Sequence, residues 1–115
     1  MGLPRASRLR RSAEFQRVRN AGRRASDRYL AITAARLDGE TQPRFGLAVG
    51  KGVGGAVVRN RVKRRLRELL GTLDMAIDWN VVVSARPAAA DATFQDLSES
   101  LRRLAAKLGV IDNAA

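Results

Sequence analysis

The sequence contains no cysteine and no histidine. Without cysteine no disulfide can form, which fits the cytoplasm, where the chain is expected to work. The usual Cys/His zinc sites are excluded. So are a thiol nucleophile and a histidine acid–base pair, and with them a self-sufficient ribonuclease built on paired histidines. No apolar run approaches the roughly 18 residues that a membrane-crossing helix needs. The start, Met1-Gly2-Leu3-Pro4-Arg5, lacks the apolar centre of a secretion signal. Aromatic residues are few: Phe15, Tyr29, Phe45, Trp79 and Phe94. Lysine is scarce too, with Lys51, Lys63 and Lys107 standing among 22 cationic residues. Arginine offers phosphate a planar fork of donors, although a GC-rich genome would produce the same bias.

Acidic residues are thin in one part only. Residues 1–67 hold 18 Lys/Arg against 4 Asp/Glu, whereas residues 68–115 hold 4 against 7. The net charge of +11 therefore comes from the first part, and the last part has the composition of scaffold. With 115 residues, 45% of them hydrophobic, the chain can bury one modest core and is not composed like a disordered tail. We expect a basic arm over residues 1–11, a single domain over 12–109 and a short tail over 110–115.

The cations concentrate in Val57-Val58-Arg59-Asn60-Arg61-Val62-Lys63-Arg64-Arg65-Leu66-Arg67-Glu68, where six positive charges fall within nine residues. Val58, Val62, Leu66 and Leu69 keep helical spacing through the same stretch. One stripe can thus enter a core while the rest stays cationic, which fixes the charge on a rigid element. Arg59, Lys63 and Arg67 repel one another at i,i+4 spacing, and Glu68 is the sole acid between residues 41 and 73. A polyanion that neutralises the ridge is the natural partner, and nucleic acid is the commonest one. The bland alternative is an idle solvated face.

Around this helix the pattern predicts a small α+β domain. Ser12 reads as an N-cap with Glu14 in the first turn of a helix running from Ala13 to about Ala21, closed by Gly22. Tyr29 to Arg36 and Phe45 to Gly50 read as strands, expected to pair as a hairpin across the polar segment 38–43, with a possible short strand at Arg24 to Ser26. The basic helix is expected from about Ala56 to Leu73. The run Val81-Val82-Val83 within Trp79 to Ala85 has the character of a buried strand. Thr93 with Asp96 forms a near-capping box for a last helix reaching about Leu108, with Gly109 at its end. Phe45, Trp79 and Phe94 are expected in the core.

Gly50, Gly52 and Gly55 match G-x-G-x-x-G between a strand and a helix, the setting of a dinucleotide site. The chain is too short for a doubly wound sheet, the helix is studded with arginine, and the preceding strand is expected in a hairpin. Exposed N–H groups that meet RNA phosphate at a helix start are the better reading. Asp74 and Asp78 read as a polar link rather than a metal pair, and Ser84, Ser98 and Ser100 have no base partner. No catalytic constellation is visible. Phe15, beside Arg17 and Arg19, either stacks on an unpaired base or simply anchors its helix.

The stretch from Lys51-Gly52-Val53-Gly54-Gly55 through Arg59-Asn60-Arg61 to Glu68 resembles the signature of the bacterial ribonuclease P protein component. Leu9-Arg10, Glu14-Phe15-Gln16-Arg17-Val18, Gly22, Arg44-Phe45-Gly46-Leu47-Ala48-Val49 and Ala85-Arg86-Pro87 resemble its other landmarks, so the similarity covers roughly residues 7–108. The resemblance implies a small α/β sandwich with a mixed four-stranded sheet, three helices and a left-handed βαβ crossover, against the general rule for such units. It also implies a protein subunit that assists a catalytic RNA in removing the 5′ leader from precursor tRNA. The RNA and its Mg2+ ions would carry the hydrolysis, with no cofactor bound by the protein alone. Arg59, Asn60, Arg61, Lys63, Arg64, Arg65 and Arg67 would contact the ribonuclease P RNA. Phe15, Arg17, Arg19 and Lys51 would meet the leader or nearby phosphates.

The sequence departs from the family pattern at several of these places. Arg19 replaces an aromatic, the strand around Thr33 lacks one, Lys51-Gly52 replaces Lys-Lys, and Gly55 replaces Asn. Leader binding is therefore expected to lean on charge more than on stacking. A ribosomal structural protein and a DNA-compacting protein are the competing classes. Neither is expected to carry the ordered string from Phe15 to Arg67.

Overall fold

The computed structural model describes residues 7–111. Its elements are α1 (Ser12–Ala21), β1 (Arg23–Ser26), β2 (Leu30–Arg36), β3 (Arg44–Ala48), α2 (Ala56–Leu70), β4 (Trp79–Ala85), a 3-10 turn (Pro87–Asp91) and α3 (Phe94–Lys107). They build an α+β sandwich around one mixed sheet of order β1-β2-β4-β3. The expected hairpin between β2 and β3 does not form. Instead β4 lies between them, antiparallel to β2 and parallel to β3. The cause is the run Val81-Val82-Val83, which is apolar on both faces and buried on both. Only a central position satisfies such a strand.

The two faces carry different helices. Leu30, Ile32, Ala34, Val81 and Val83 meet Val62, Leu66 and Leu70 of α2 and Leu97, Leu101 and Leu104 of α3 in the main core. On the other face Val82 and Ala35 pack with Val18 of α1, Leu9 and Leu37, and Phe15 leans on that group. Phe94 departs from expectation. It is the first residue of α3 and remains 40% exposed. Trp79 is half-buried, with the Arg36 guanidinium 5.1 Å from its ring centroid.

Helix ends follow from local chemistry. Glu14 Oε1 accepts the N–H groups of Arg10 (2.9 Å) and Arg11 (3.0 Å), so Ser12 is the first helical residue rather than the cap. α2 stops at Leu70 instead of about Leu73, where the Gly71 N–H returns to the Arg67 carbonyl and Thr72 Oγ1 donates to the Leu69 carbonyl at 2.6 Å. α3 has the anticipated capping box, with Thr93 Oγ1 accepting from the Asp96 N–H and Asp96 Oδ2 from the Thr93 N–H. Asp27 ties α3 to the β1–β2 turn. Its Oδ1 accepts the N–H groups of Tyr29 and Leu30, and its Oδ2 accepts from Ser100 Oγ and Arg103 Nη2, both at 2.6 Å.

Residues 1–6 of the anticipated arm lie outside the described residues. Residues 7–9 are part of the fold: Arg8 bridges Phe45 in parallel, and the Leu9 N–H donates to the Phe45 carbonyl at 2.7 Å. Of the anticipated tail, Val110 is buried and donates to the Ala105 carbonyl, while residues 112–115 lie outside the described range.

Candidate RNA interface

Helical geometry sorts the cations of α2 into three rows. Val62, Leu66, Leu69 and Leu70 are buried and set the inward side. On one flank Arg61 and Arg65 turn toward the 3-10 turn, where Arg61 Nη2 donates to the Ala90 carbonyl (2.9 Å) and Arg65 Nη1 to the Ala92 carbonyl (3.1 Å). These bonds fix two guanidinium groups without neutralising them. Asn60 and Arg64 form the outermost row and are exposed. Arg59, Lys63 and Arg67 form the other flank and are half-buried. The Nε donors of Arg59 and Arg61 are buried with no hydrogen-bond partner. The ion pairs among the described residues, Arg36–Asp78, Arg44–Glu14 and Arg103–Asp27, draw no cation from α2. Val57, one helical turn before Asn60 and Arg61, is 81% exposed and puts an apolar surface at the N-terminal end of this charge. Sequence reasoning passed over it because valine alone carries no signal.

A second arrangement lies on the α1 face of the sheet. Pairing register aligns Arg24, Thr33, Val82 and Gly46 in one row across the four strands. The next row is Ser26, Ala31, Ser84 and Ala48. α1 crosses the first row. A Cβ on Gly46 would lie 2.6 Å from the Phe15 ring, and one on Gly22 2.7 Å from the Ala34 carbonyl oxygen and 2.9 Å from Thr33 Cγ2. Both close approaches need glycine. The second row is made only of small side chains, so beside α1 it forms a shallow trough.

The flanks of α1 decide which residues overlook that trough. Glu14 leans away from it, accepting from Arg44 Nη2 at 2.6 Å. Arg44 pairs in register with Asn80, on the far side of the first row. The backbone N–H groups of Arg11 and Arg10, then Arg44, hold the Glu14 carboxyl down to about 2. Arg19 occupies the opposite flank, one turn on from Phe15, toward the row of small residues. Arg17 is on the back of the helix, where it lines a groove with Ala13, Gln16, Asn20 and Ala21. At the sheet end bordering the trough stand Arg28 before β2, Arg86 after β4 and Lys51 after β3, all exposed. The structure thus gathers Phe15, Arg19 and Lys51 around one trough and leaves Arg17 apart. Arg24, Arg28 and Arg86 join that rim. Strand register brings Arg86 to the same sheet end as Arg28, which is far from it in the chain.

The ribonuclease P family model matches residues 3–109. The chain belongs to the bacterial ribonuclease P protein component family. The ribonuclease P protein component of Acidothermus cellulolyticus is 41% identical over 115 residues, covering 97% of this chain and 96% of that protein. That of Beutenbergia cavernae is 46% identical over 110 residues, covering 94% and 92%. The ribonuclease P protein of Staphylococcus aureus superposes with a TM-score of 0.84 at 27% identity, covering 94% of this chain and all of that one. The fold match extends to a mutant of the same protein with defective mRNA degradation activity, at a TM-score of 0.85 and 29% identity. The chain is therefore a subunit of ribonuclease P, the enzyme of tRNA 5′ maturation, and its partner is the ribonuclease P RNA. The ribosomal alternative is not favoured.

Proposed function

We propose that α2 is the surface that holds the ribonuclease P RNA, and that the trough beside α1 takes the 5′ leader of precursor tRNA. Arg59, Asn60, Arg61, Lys63, Arg64, Arg65 and Arg67 are the RNA-holding residues. The observation that carries this reading is the unpaired, rigid charge of α2. Its apolar stripe is buried, two of its guanidinium groups are pinned to carbonyls, and none of its cations is spent on an ion pair.

For the leader, Phe15 and Arg19 form one wall of the trough, small side chains its floor, and Lys51 with Arg86 its charged end. Phe15 rests on Gly46 and is half-buried, so it anchors α1 and still exposes part of its ring. Grip on the leader then comes mainly from charge, with one aromatic surface to stack on. Arg17, on the back of α1, is positioned for neighbouring phosphates instead.

In this reading the protein positions and the RNA reacts. Glu14, Asp27 and Asp78 are each tied to a guanidinium, and no group of three His, Cys, Asp or Glu residues among the described ones is placed to hold a metal ion. In this reading the Mg2+ ions that would supply the hydrolytic chemistry are held by the RNA subunit. Work takes place in the cytoplasm, and no helix among the described residues is long and apolar enough to cross a membrane.

The test pairs assembly with stability. Arg59→Ala combined with Arg64→Ala is expected to weaken binding to the ribonuclease P RNA by at least tenfold while shifting the thermal midpoint little, since Arg64 is exposed and truncating half-buried Arg59 removes a buried Nε donor that has no partner in the fold. Arg61→Ala is expected to cost about 1–2 kcal/mol as well, because its bond to the Ala90 carbonyl is charge-assisted. Unchanged affinity in the double variant rejects the assignment. Leader cleavage by the purified protein freed of all RNA rejects the division of labour.

A further inference from the structure

Hydroxyl groups divide into two sets in this fold. Ser7 Oγ donates to Gln42 Oε1, Thr72 Oγ1 to the Leu69 carbonyl and Ser100 Oγ to Asp27 Oδ2, while Thr93 Oγ1 caps α3. Ser26 and Ser84 belong to the other set. Their hydroxyls have no hydrogen-bond partner among the described residues. Ser26 is exposed at the end of β1, an edge strand of the sheet, and Ser84 is half-buried near the end of β4.

Both lie on the floor of the trough beside α1. Pairing register sets them in one row, Ser26–Ala31–Ser84–Ala48. Two strand spacings separate them, about 10 Å. Ala31, between them, and Ala48, beyond Ser84, offer them no polar side chain. Asp27, the acid next to Ser26, is held on the other face by Ser100 and Arg103 of α3. Thr33, in the row under α1, has its Cγ2 near Gly22 at the end of that helix. Ser26 and Ser84 are thus the polar side chains that the small-residue row presents to whatever fills the trough.

The rim narrows the choice of partner. Arg19 overlooks the row from α1, and Arg28, Arg86 and Lys51 stand at the sheet end bordering it. Cations on both sides attract the phosphates of a strand lying along the row. That draws its backbone toward the sheet and puts ribose rather than base over the floor. A serine hydroxyl and a ribose 2′-hydroxyl each donate and accept, so each can complete the other. An aromatic platform serves single-stranded DNA and RNA alike. A hydroxyl on the floor instead senses the sugar group by which RNA differs from DNA.

We propose that Ser26 and Ser84 bind 2′-hydroxyl groups of the leader and so make the trough selective for a ribose strand. The inference rests on the trough taking the leader. It adds a specificity that is independent of base identity and that neither the charged rim nor Phe15 supplies.

The test uses the holoenzyme reconstituted from the full chain and the ribonuclease P RNA. Affinity is measured for a precursor tRNA with an all-ribose leader, for one whose leader is 2′-deoxyribose except at the nucleotide beside the cleaved bond, and for the leaderless tRNA. Wild type should bind the deoxy leader about three- to tenfold more weakly, the worth of one or two neutral hydrogen bonds. Ser26→Ala with Ser84→Ala should close that gap by weakening the ribose leader alone. Alanine already fills the other two places in the row, so the thermal midpoint should hold. Equal affinity of the wild-type holoenzyme for both leaders overturns the proposal. So does a gap that persists in the double variant, which places the sugar contact on the RNA subunit. A loss in the double variant that follows base identity rather than the sugar overturns it as well. If Phe15→Ala or Lys51→Ala then still lowers the preference for the leader-bearing precursor over leaderless tRNA, the trough stands as the leader site without this selectivity. If neither does, the trough reading itself falls.

Discussion

At the scale of the residue, two glycines fix how α1 sits on the sheet, and they are not equivalent. A side chain on Gly22 would meet the carbonyl oxygens of Ala34 and Val18, both at 2.7 Å, and neither can swing aside. A side chain on Gly46 would meet the tip of the Phe15 ring at 2.6 Å and Leu9 Cβ at 3.2 Å, and the ring can move. Gly22→Ala should therefore destabilise the fold by about 2–3 kcal/mol in denaturant unfolding, toward the upper range for overpacking. Gly46→Ala should cost less and show itself instead in leader affinity, through the displaced ring. Equal costs would mean that α1 rides on the sheet more loosely than these approaches imply. Neither glycine announces its role in the sequence. Gly22 reads there as a helix stop and Gly46 as one more small strand residue, because what excludes a side chain is a neighbour far away in the chain.

At the scale of the element, α1 depends on one carboxylate. Glu14 holds the first N–H groups of the helix region and pairs with Arg44, so it joins helix start, arm and β3. Its pKa falls from 4.5 to about 2 on folding. A depressed folded value means a contribution fully present above the unfolded value and lost as the pH falls through the folded one. Wild type should accordingly lose stability between about pH 4.5 and 2, and Glu14→Gln should be less stable at neutral pH and converge with wild type near pH 2. A constant gap across that window, followed by thermal unfolding, would show that Glu14 acts through packing rather than charge. Elements of this kind were legible early. The stripe of Val58, Val62, Leu66 and Leu69 gave α2, and Thr93 with Asp96 gave α3. The pairing of strands was not, because β4 chooses its neighbours by burying both faces, a property of the assembled sheet. Likewise, the charge of α2 was evident in the sequence, whereas the division of its arginines into anchored and outward rows needed the position of Ala90 and Ala92.

At the scale of the whole molecule, a net charge of +11 has two opposed consequences. In the free protein it is self-repulsion, which salt screens over a Debye length of about 10 Å at 0.1 M. In the complex it is the source of binding, and salt competes with it as counterions return to the RNA. Added salt should thus raise the thermal midpoint of the isolated protein while it weakens assembly. If the outward and flanking cations of α2 and the arm engage five to eight phosphates, the logarithm of the association constant should fall with the logarithm of salt concentration by roughly 4–7 units per decade. The two responses check each other. A slope near one with a rising midpoint would leave the fold as described but remove the ridge from the interface. A steep slope with a falling midpoint would mean that ion pairs, not self-repulsion, dominate the free protein. The pairs Arg36–Asp78 and Arg103–Asp27 do not support that outcome, since each has one largely exposed arginine and solvent screens such pairs to a small contribution. The expected result is therefore a protein that salt stabilises and simultaneously releases from its RNA, measured by melting and by filter binding over the same concentration series.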